Sequence, residues 1–189
     1  MKVLTIMTHG FEETEAVAPL DLLHRAGAQN TLAAVASKGE TLLKGRSDLF
    51  LKTDTTLDAL LESHQSPKSI ADAFDALFIP GGPGTWTLLD DGKAVGLAKA
   101  FNARNKPIAA ICAAPLILNA AGLLDGKRVS AHSCTWEEIP AAQASGPYAL
   151  DGNLLTSRGA GTAFAFGLAF VEMLCGKAVA EKLAADTML

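Results

Sequence analysis

Cys112 is the side chain in this sequence best placed to act as a nucleophile. It stands in Ala109-Ala110-Ile111-Cys112-Ala113-Ala114-Pro115, where an apolar, strand-like run gives way to a segment carrying proline in its first helical turn. That is the logic of a nucleophile elbow: small neighbours permit a sharp turn, and the helix that follows directs N–H groups and its positive dipole end at the sulfur. Such a setting predicts a thiol lowered from about 8.5 into a range of roughly 3.5 to 7.5, and therefore nucleophilic at neutral pH. Taken alone the stretch also fits a buried core thiol, because free cysteine packs as a small hydrophobe. The strand before it, the helix after it and a glycine loop from the neighbouring unit favour chemistry.

Three further sets of residues belong with it. Gly81 and Gly82 close an apolar run at Ile79-Pro80 and let a backbone N–H approach a bound carbonyl; with Ala113 they would form an oxyanion site. Glu12, Glu13 and Glu15 begin a helix, where acidic side chains compensate the dipole, but Glu15 directly precedes the apolar face at Ala16-Val17. It is expected to turn inward, to have its pKa raised by burial and by the sulfur, and to donate a hydrogen bond to the thiolate. His132 follows a strand-like segment and is a candidate base or proton carrier, or else a hydrogen-bonded loop residue. Cys134 and Cys175 are expected to pack.

These residues need a frame that brings distant loops together. Residues 2–7 read as a strand, followed by a helix with Ala16, Val17, Leu20 and Leu23 at helical spacing, a bend at Pro19 and a stop at Gly27. A second strand covers 30–36. Turns at Lys38-Gly39 and Lys44-Gly45 frame a ribbon through 49–51; 56–61 reads as a brief helix and 64–69 as a loop. Strand 75–80 leads through Gly81-Gly82-Pro83-Gly84 to a helix at 93–105. Strand 108–111 leads through Cys112 to a helix bounded by Pro115 and Gly122. Then come a strand at 127–131, a hairpin turned at Asp151-Gly152 and a long helix over 162–175. Repeated strand-helix units predict a mostly parallel sheet in a doubly wound α/β sandwich, with the ligand site beyond the carboxyl ends of the strands. With no repeat or linker, residues 1–189 are expected to form one domain.

Composition excludes several function classes. Of 189 residues, 49% are hydrophobic and 19% charged, which suits a packed globule rather than a disordered chain. A formal net charge of -4, without a basic cluster, argues against nucleic-acid binding. The opening apolar run is too short for a signal or a membrane span. Three cysteines without a CxxC pair fit a reducing compartment, so the expected location is cytoplasmic. His9, His24, His64 and His132 lack metal-ligand spacing, and neither a metal nor a cofactor is expected.

Four ordered blocks carry a resemblance: Gly10-Phe11-Glu12-Glu13-Thr14-Glu15, Ile79-Pro80-Gly81-Gly82, the Cys112 stretch, and Leu155-Thr156-Ser157-Arg158-Gly159-Ala160-Gly161-Thr162. Together they make the chain resemble the DJ-1/ThiJ/PfpI superfamily, in particular its short YajL-like members. The resemblance implies a flavodoxin-like three-layer α/β/α sandwich, usually a homodimer, with a reactive cysteine at Cys112 hydrogen-bonded by Glu15. It implies cofactor-independent conversion of 2-oxoaldehydes such as methylglyoxal to hydroxy acids, repair of early glycation adducts, or redox-responsive chaperone behaviour. The peptidase branch carries histidine directly after the nucleophile; here that position is Ala113, which favours small-aldehyde chemistry over proteolysis. Relatives show a Ser-Arg pair that reaches the partner subunit's site, whereas this chain has Arg46-Ser47. Arg158 takes a structural or pocket-edge role by the same resemblance.

Overall fold

Alternation along the central strands decides which helices each face of the sheet receives. In β1 (Lys2–Met7), Leu4 and Ile6 point to one side and Val3 and Met7 to the other. The same period of two sorts β6 (Ala76–Ile79), with Leu77 and Ile79 opposite Ala76 and Phe78, and β7 (Ile108–Ile111), with Ile108 and Ala110 opposite Ala109 and Ile111. Both faces of these strands are apolar, as a parallel sheet covered on both sides requires.

In the computed structural model, which describes residues 1–37, 39–144 and 146–189, the sheet has seven strands. Its order is β5 (Thr55–Thr56), β2 (Gln29–Ala34), β1, β6, β7, β9 (Leu154–Ser157), β8 (Tyr148–Asp151). Every neighbouring pair is parallel except β8–β9. Onto the Leu4/Ile6 face pack α2 (Leu57–His64), α3 (Pro67–Ala73), α4 (Thr85–Asp91), α5 (Lys93–Asn102) and α6 (Pro115–Ala120). The other face receives α1 (Glu13–Arg25), α7 (Ala163–Cys175) and α8 (Lys177–Thr187). A separate antiparallel ribbon joins β3 (Leu42–Lys44) to β4 (Phe50–Lys52). This is the flavodoxin-like sandwich.

The contact between α1 and α7 fixes the helix that carries Glu15. A Cβ at Gly167 would stand 2.7 Å from Leu22 Cδ1 and 3.1 Å from the Pro19 Cα, so the two helices meet closely because α7 has glycine there. Pro19 does not break α1, which runs through it from residue 13 to 25. Below, the rings of Phe78, Phe166 and Phe170 have centroids 5.9 to 6.5 Å apart; each such pair contributes about 0.5–1.5 kcal/mol beyond burial.

Four local readings are corrected. The polar stretch 64–69 contains the start of α3: the Ser66 side chain accepts the Ser69 N–H and Pro67 occupies the first turn, so the proline opens a helix instead of marking a loop. α4 and α8 were not anticipated; each follows a glycine and lacks a side-chain cap. Residues 127–131 form no strand, because side chains take their donors: Arg128 N–H goes to Asp151 and Ser130 N–H to Thr156 Oγ1, both at 3.0 Å. Of the turn read at Lys38-Gly39, Lys38 lies outside the described residues. No helix is long and apolar enough to cross a membrane among the described residues.

Candidate active site

Loops after β1, β6, β7 and β9 all leave the same end of the sheet, because these strands are mutually parallel. The chain crosses from the β1–β2 half to the β6–β7 half between β1 and β6, and a cleft opens where strand order reverses. Each of the four loops contributes one component there.

The β7 loop contributes Cys112, in left-handed backbone with φ 65°. For a residue with a Cβ that conformation costs about 1–2 kcal/mol. Two backbone hydrogen bonds hold it: its N–H donates to Ser157 O at 2.8 Å, and its carbonyl accepts the His132 N–H at 2.9 Å. The elbow is therefore tied to β9 on one side and to the His132 segment on the other. Its thiol is half-buried.

From the loop after β1 come three acids that diverge. Glu12 caps α1, accepting the Glu15 N–H at 2.7 Å. Glu13 reaches sideways to the Ser47 N–H at 2.8 Å. Glu15 alone turns into the cleft, with 1% of its surface exposed. Its Oε2 has no partner at hydrogen-bond geometry, although the Cys112 thiol and the N–H groups of Gly81 and Ala160 lie close enough to act on the carboxyl's charge.

The β6 loop makes this approach possible. A Cβ on Gly81 would lie 2.6 Å from Cys112 Cβ, 2.6 Å from Glu15 Oε2 and 2.7 Å from Ile111 O, so no other residue fits. Gly82, at φ 102°, faces Gly10 O and the Glu12 N–H equally closely. The fourth component is Gly159, after β9, at φ 151° and ψ -166°, a region open essentially to glycine alone. Its missing Cβ would stand 3.4 Å from Glu15 Oε1, 3.5 Å from His132 Cδ2 and 3.8 Å from Cys112 Sγ. Gly159 is thus the wall that Glu15, His132 and Cys112 share.

Electrostatically the pair departs from the sequence expectation. Burial raises Glu15 to about 7; the Cys112 hydrogen bond opposes this, the Glu12 charge adds to it, and the Gly81 and Ala160 N–H groups oppose it. Cys112 is also raised, not lowered: burial acts first, then the Glu15 charge and hydrogen bond, against which only the Gly82 and Ala113 N–H groups pull down. The helix behind the elbow has six residues, and its end does not outweigh desolvation. Each group's charge opposes the other's, so the two cannot both ionise readily and the pair titrates as a unit. The backbone amides also divide, with those of Gly82 and Ala113 acting on the sulfur and those of Gly81 and Ala160 on Glu15.

His132 is exposed at the mouth. Its Nδ1 accepts the Cys134 N–H at 3.2 Å, which puts the proton of the neutral ring on Nε2. His132, Arg158 and residues 159–162 line an open cavity of about 440 Å³. Arg46 stands apart on the exposed turn of the ribbon, its N–H bonded to Phe11 O at 2.9 Å. Cys134 is exposed rather than packed. Among the described residues, no group of three or more His, Cys, Asp or Glu side chains could hold a metal ion. Ser157 and Thr162 carry no separate signal in the sequence beyond their place in the block that ends at Thr162.

A model of the DJ-1/PfpI family matches residues 1–173. The chain belongs to that family. Within it, the chain is 32% identical over 194 residues to the Parkinson disease protein 7 homolog of Danio rerio, covering 100% of this chain and 97% of the relative. It is 31% identical to the Deglycase TK1284 of Thermococcus kodakarensis, covering 92% of this chain and 99% of that protein. Among solved structures, oxidized Toxoplasma gondii DJ-1 superposes with a TM-score of 0.87 at 33% identity, over 99% of this chain and 97% of that one.

Proposed function

We propose that this DJ-1/PfpI protein is a cysteine-dependent, cofactor-independent enzyme that converts 2-oxoaldehydes such as methylglyoxal to hydroxy acids, or removes early glycation adducts by the same thiol chemistry. The observation that carries the reading is the buried Glu15 carboxyl against the strained Cys112, beside a wall kept open by Gly159. A deglycase-named relative supports the substrate class.

In the form with Glu15 ionised, the carboxylate is the base that takes the Cys112 proton as sulfur adds to the aldehyde carbon. The Gly82 and Ala113 N–H groups meet the charge that passes through sulfur. Protonated Glu15 then returns its proton to the new alkoxide, giving a hemithioacetal. Glu15, again a carboxylate, moves the C1 hydrogen as a proton to C2 through an enediol, leaving a thioester. Water cleaves the thioester, releasing the 2-hydroxy acid and restoring the thiol. One water is consumed and no electron carrier is needed.

Purified protein incubated with methylglyoxal is expected to form lactate, with kcat/KM rising along a limb near pH 7 set by Glu15. Cys112→Ser is expected to abolish turnover; equal rates in the two proteins would remove the cysteine from the mechanism. A second reading, oxidation of Cys112 as a redox signal, is supported by the half-buried thiol and by the relative solved in an oxidized form. Mild peroxide would then add two oxygens at Cys112 and change suppression of client aggregation.

A further inference from the structure

The sheet ends at β8, and the direction of that strand's backbone groups follows from two hydrogen bonds. In an antiparallel pair the N–H and C=O of one residue point the same way, and successive residues alternate. Pro147 O accepts the N–H of Arg158, directly after β9, whereas Leu150 O accepts Arg128 Nη2 at 2.7 Å from the other side. Ala149 and Asp151 therefore face β9, and Tyr148 and Leu150 face outward. Among the described residues, nothing bonds the Tyr148 N–H and C=O or the Leu150 N–H.

This edge lacks the usual protection against a further strand, which is a charged side chain, a proline or a bulge on the edge itself. Tyr148 and Leu150 are 40% and 39% exposed. The one charge of β8, on Asp151, is engaged within the molecule: Oδ1 accepts from Lys127 Nζ and Oδ2 from the Arg128 N–H, both at 3.0 Å. β5, at the opposite end of the sheet, has only two residues and offers no comparable ladder. Beside β8 lies an open cavity of about 480 Å³ lined by Arg128, Val129, Ala141, Tyr148, Ala149 and Leu150. Its walls are apolar apart from the Arg128 guanidinium and the Tyr148 hydroxyl.

Arg128 sets where an added strand must stop. A chain running parallel to β8 can bond Tyr148 and the Leu150 N–H, but it then meets the guanidinium where Leu150 O is already taken. Further N–H groups of that guanidinium remain for a ligand, and a terminal carboxylate is the acceptor that matches their fork. We propose that the β8 edge docks the extended C-terminal segment of another protein, added to the sheet as a parallel strand with its terminal carboxylate on Arg128 and an apolar side chain in the cavity. The inference is independent of the reaction assigned to Cys112.

The probe is a fluorescein-labelled peptide of alternating valine and threonine with a free terminal carboxylate, titrated with native protein and followed by fluorescence anisotropy. Saturable binding is expected, weakened about tenfold or more when the terminus is amidated. Arg128→Gln should bind the carboxylate as weakly as native protein binds the amide, with no further loss on amidation. Leu150→Pro removes an N–H that points away from β9, so the thermal melt should stay near native while binding weakens about tenfold or more. If that variant does not fold, peptides N-methylated at alternate positions replace it: methyls on the residues facing β8 should abolish binding and methyls on the others should not. An amide bound as tightly as the carboxylate, unchanged binding in Arg128→Gln or in folded Leu150→Pro, or equal binding of the two N-methylated series overturns the proposal. So does native protein that binds no peptide, including the case in which a second copy holds the edge and Leu150→Pro lowers the mass seen by light scattering.

Discussion

Replacing Glu15 by glutamine should change the pH dependence of folding, not only the activity. The Glu15 carboxyl goes from an ordinary 4.5 to about 7 on folding. Between those values the folded protein keeps a proton that the unfolded chain has lost. Stability therefore falls as pH rises through this window: it is fullest below about 4.5 and the loss is complete above about 7. At about 1.4 kcal/mol per pH unit, the loss amounts to about 3 kcal/mol. Glutamine has nearly the same shape and no proton to lose. In Glu15→Gln this component disappears, so the stability difference between variant and native protein should shift in the variant's favour by about 2.5 kcal/mol from about pH 5 to about pH 8. Urea unfolding at the two pH values measures it, with m-values compared to check that the unfolded states match. Parallel stability-versus-pH curves for the two proteins would refute the reasoning: Glu15 would then not be the group that titrates, and the negative charge of the pair would have to reside elsewhere, with sulfur the first candidate.

Other perturbations test the geometry. Gly159→Ala introduces a methyl within 3.8 Å of Cys112 Sγ in a backbone region closed to alanine; it should cost about 1–3 kcal/mol in a thermal or urea melt and raise KM for methylglyoxal. Gly81→Ala places a carbon 2.6 Å from both Cys112 Cβ and Glu15 Oε2, and is expected to abolish lactate formation and destabilise by about 1–3 kcal/mol through overpacking. Homodimerisation through the face of α1 and the ribbon predicts that light scattering gives twice the chain mass. Val17, Leu49 and Phe164 of α7 line one groove there and are exposed at 47–62%, so Leu49→Glu should yield monomer, and a monomeric native protein would exclude the assembly.

Much of the frame was legible because its signals are local. The Asp151-Gly152 hairpin forms as read, with Gly152 at φ 63°, and Pro115 and Gly122 bound α6 as the chemistry of helix ends requires. α3 had a signal too, Ser66 followed by Pro67, but the polar composition around it outweighed the cap. Residues 127–131 show the opposite limit. They have strand composition, yet Asp151 and Thr156, more than 20 positions away, take their backbone donors. No pattern of one segment reveals a partner that lies on another.

Cys112 divides along the same line. Its placement on the elbow was legible because a turn between strand and helix is written in adjacent residues, and its positive φ follows from it. The direction of its titration was not, since that depends on what four separate loops bring to the sulfur. A helix end supplies a partial charge that acts over its first turn, and here the amides of Gly82 and Ala113 deliver that pull. Against them stand burial by α1 and the β6 loop and a full charge on Glu15, both nonlocal. A thiol flanked by two amides alone would go down; the same thiol buried against a carboxylate goes up. In the proposed mechanism this gives the site a base matched to neutral pH, because the carboxyl's own value lies near 7. The raised thiol is what makes Glu15 necessary, and activity that survived Glu15→Gln with its pH limb unchanged would contradict that dependence.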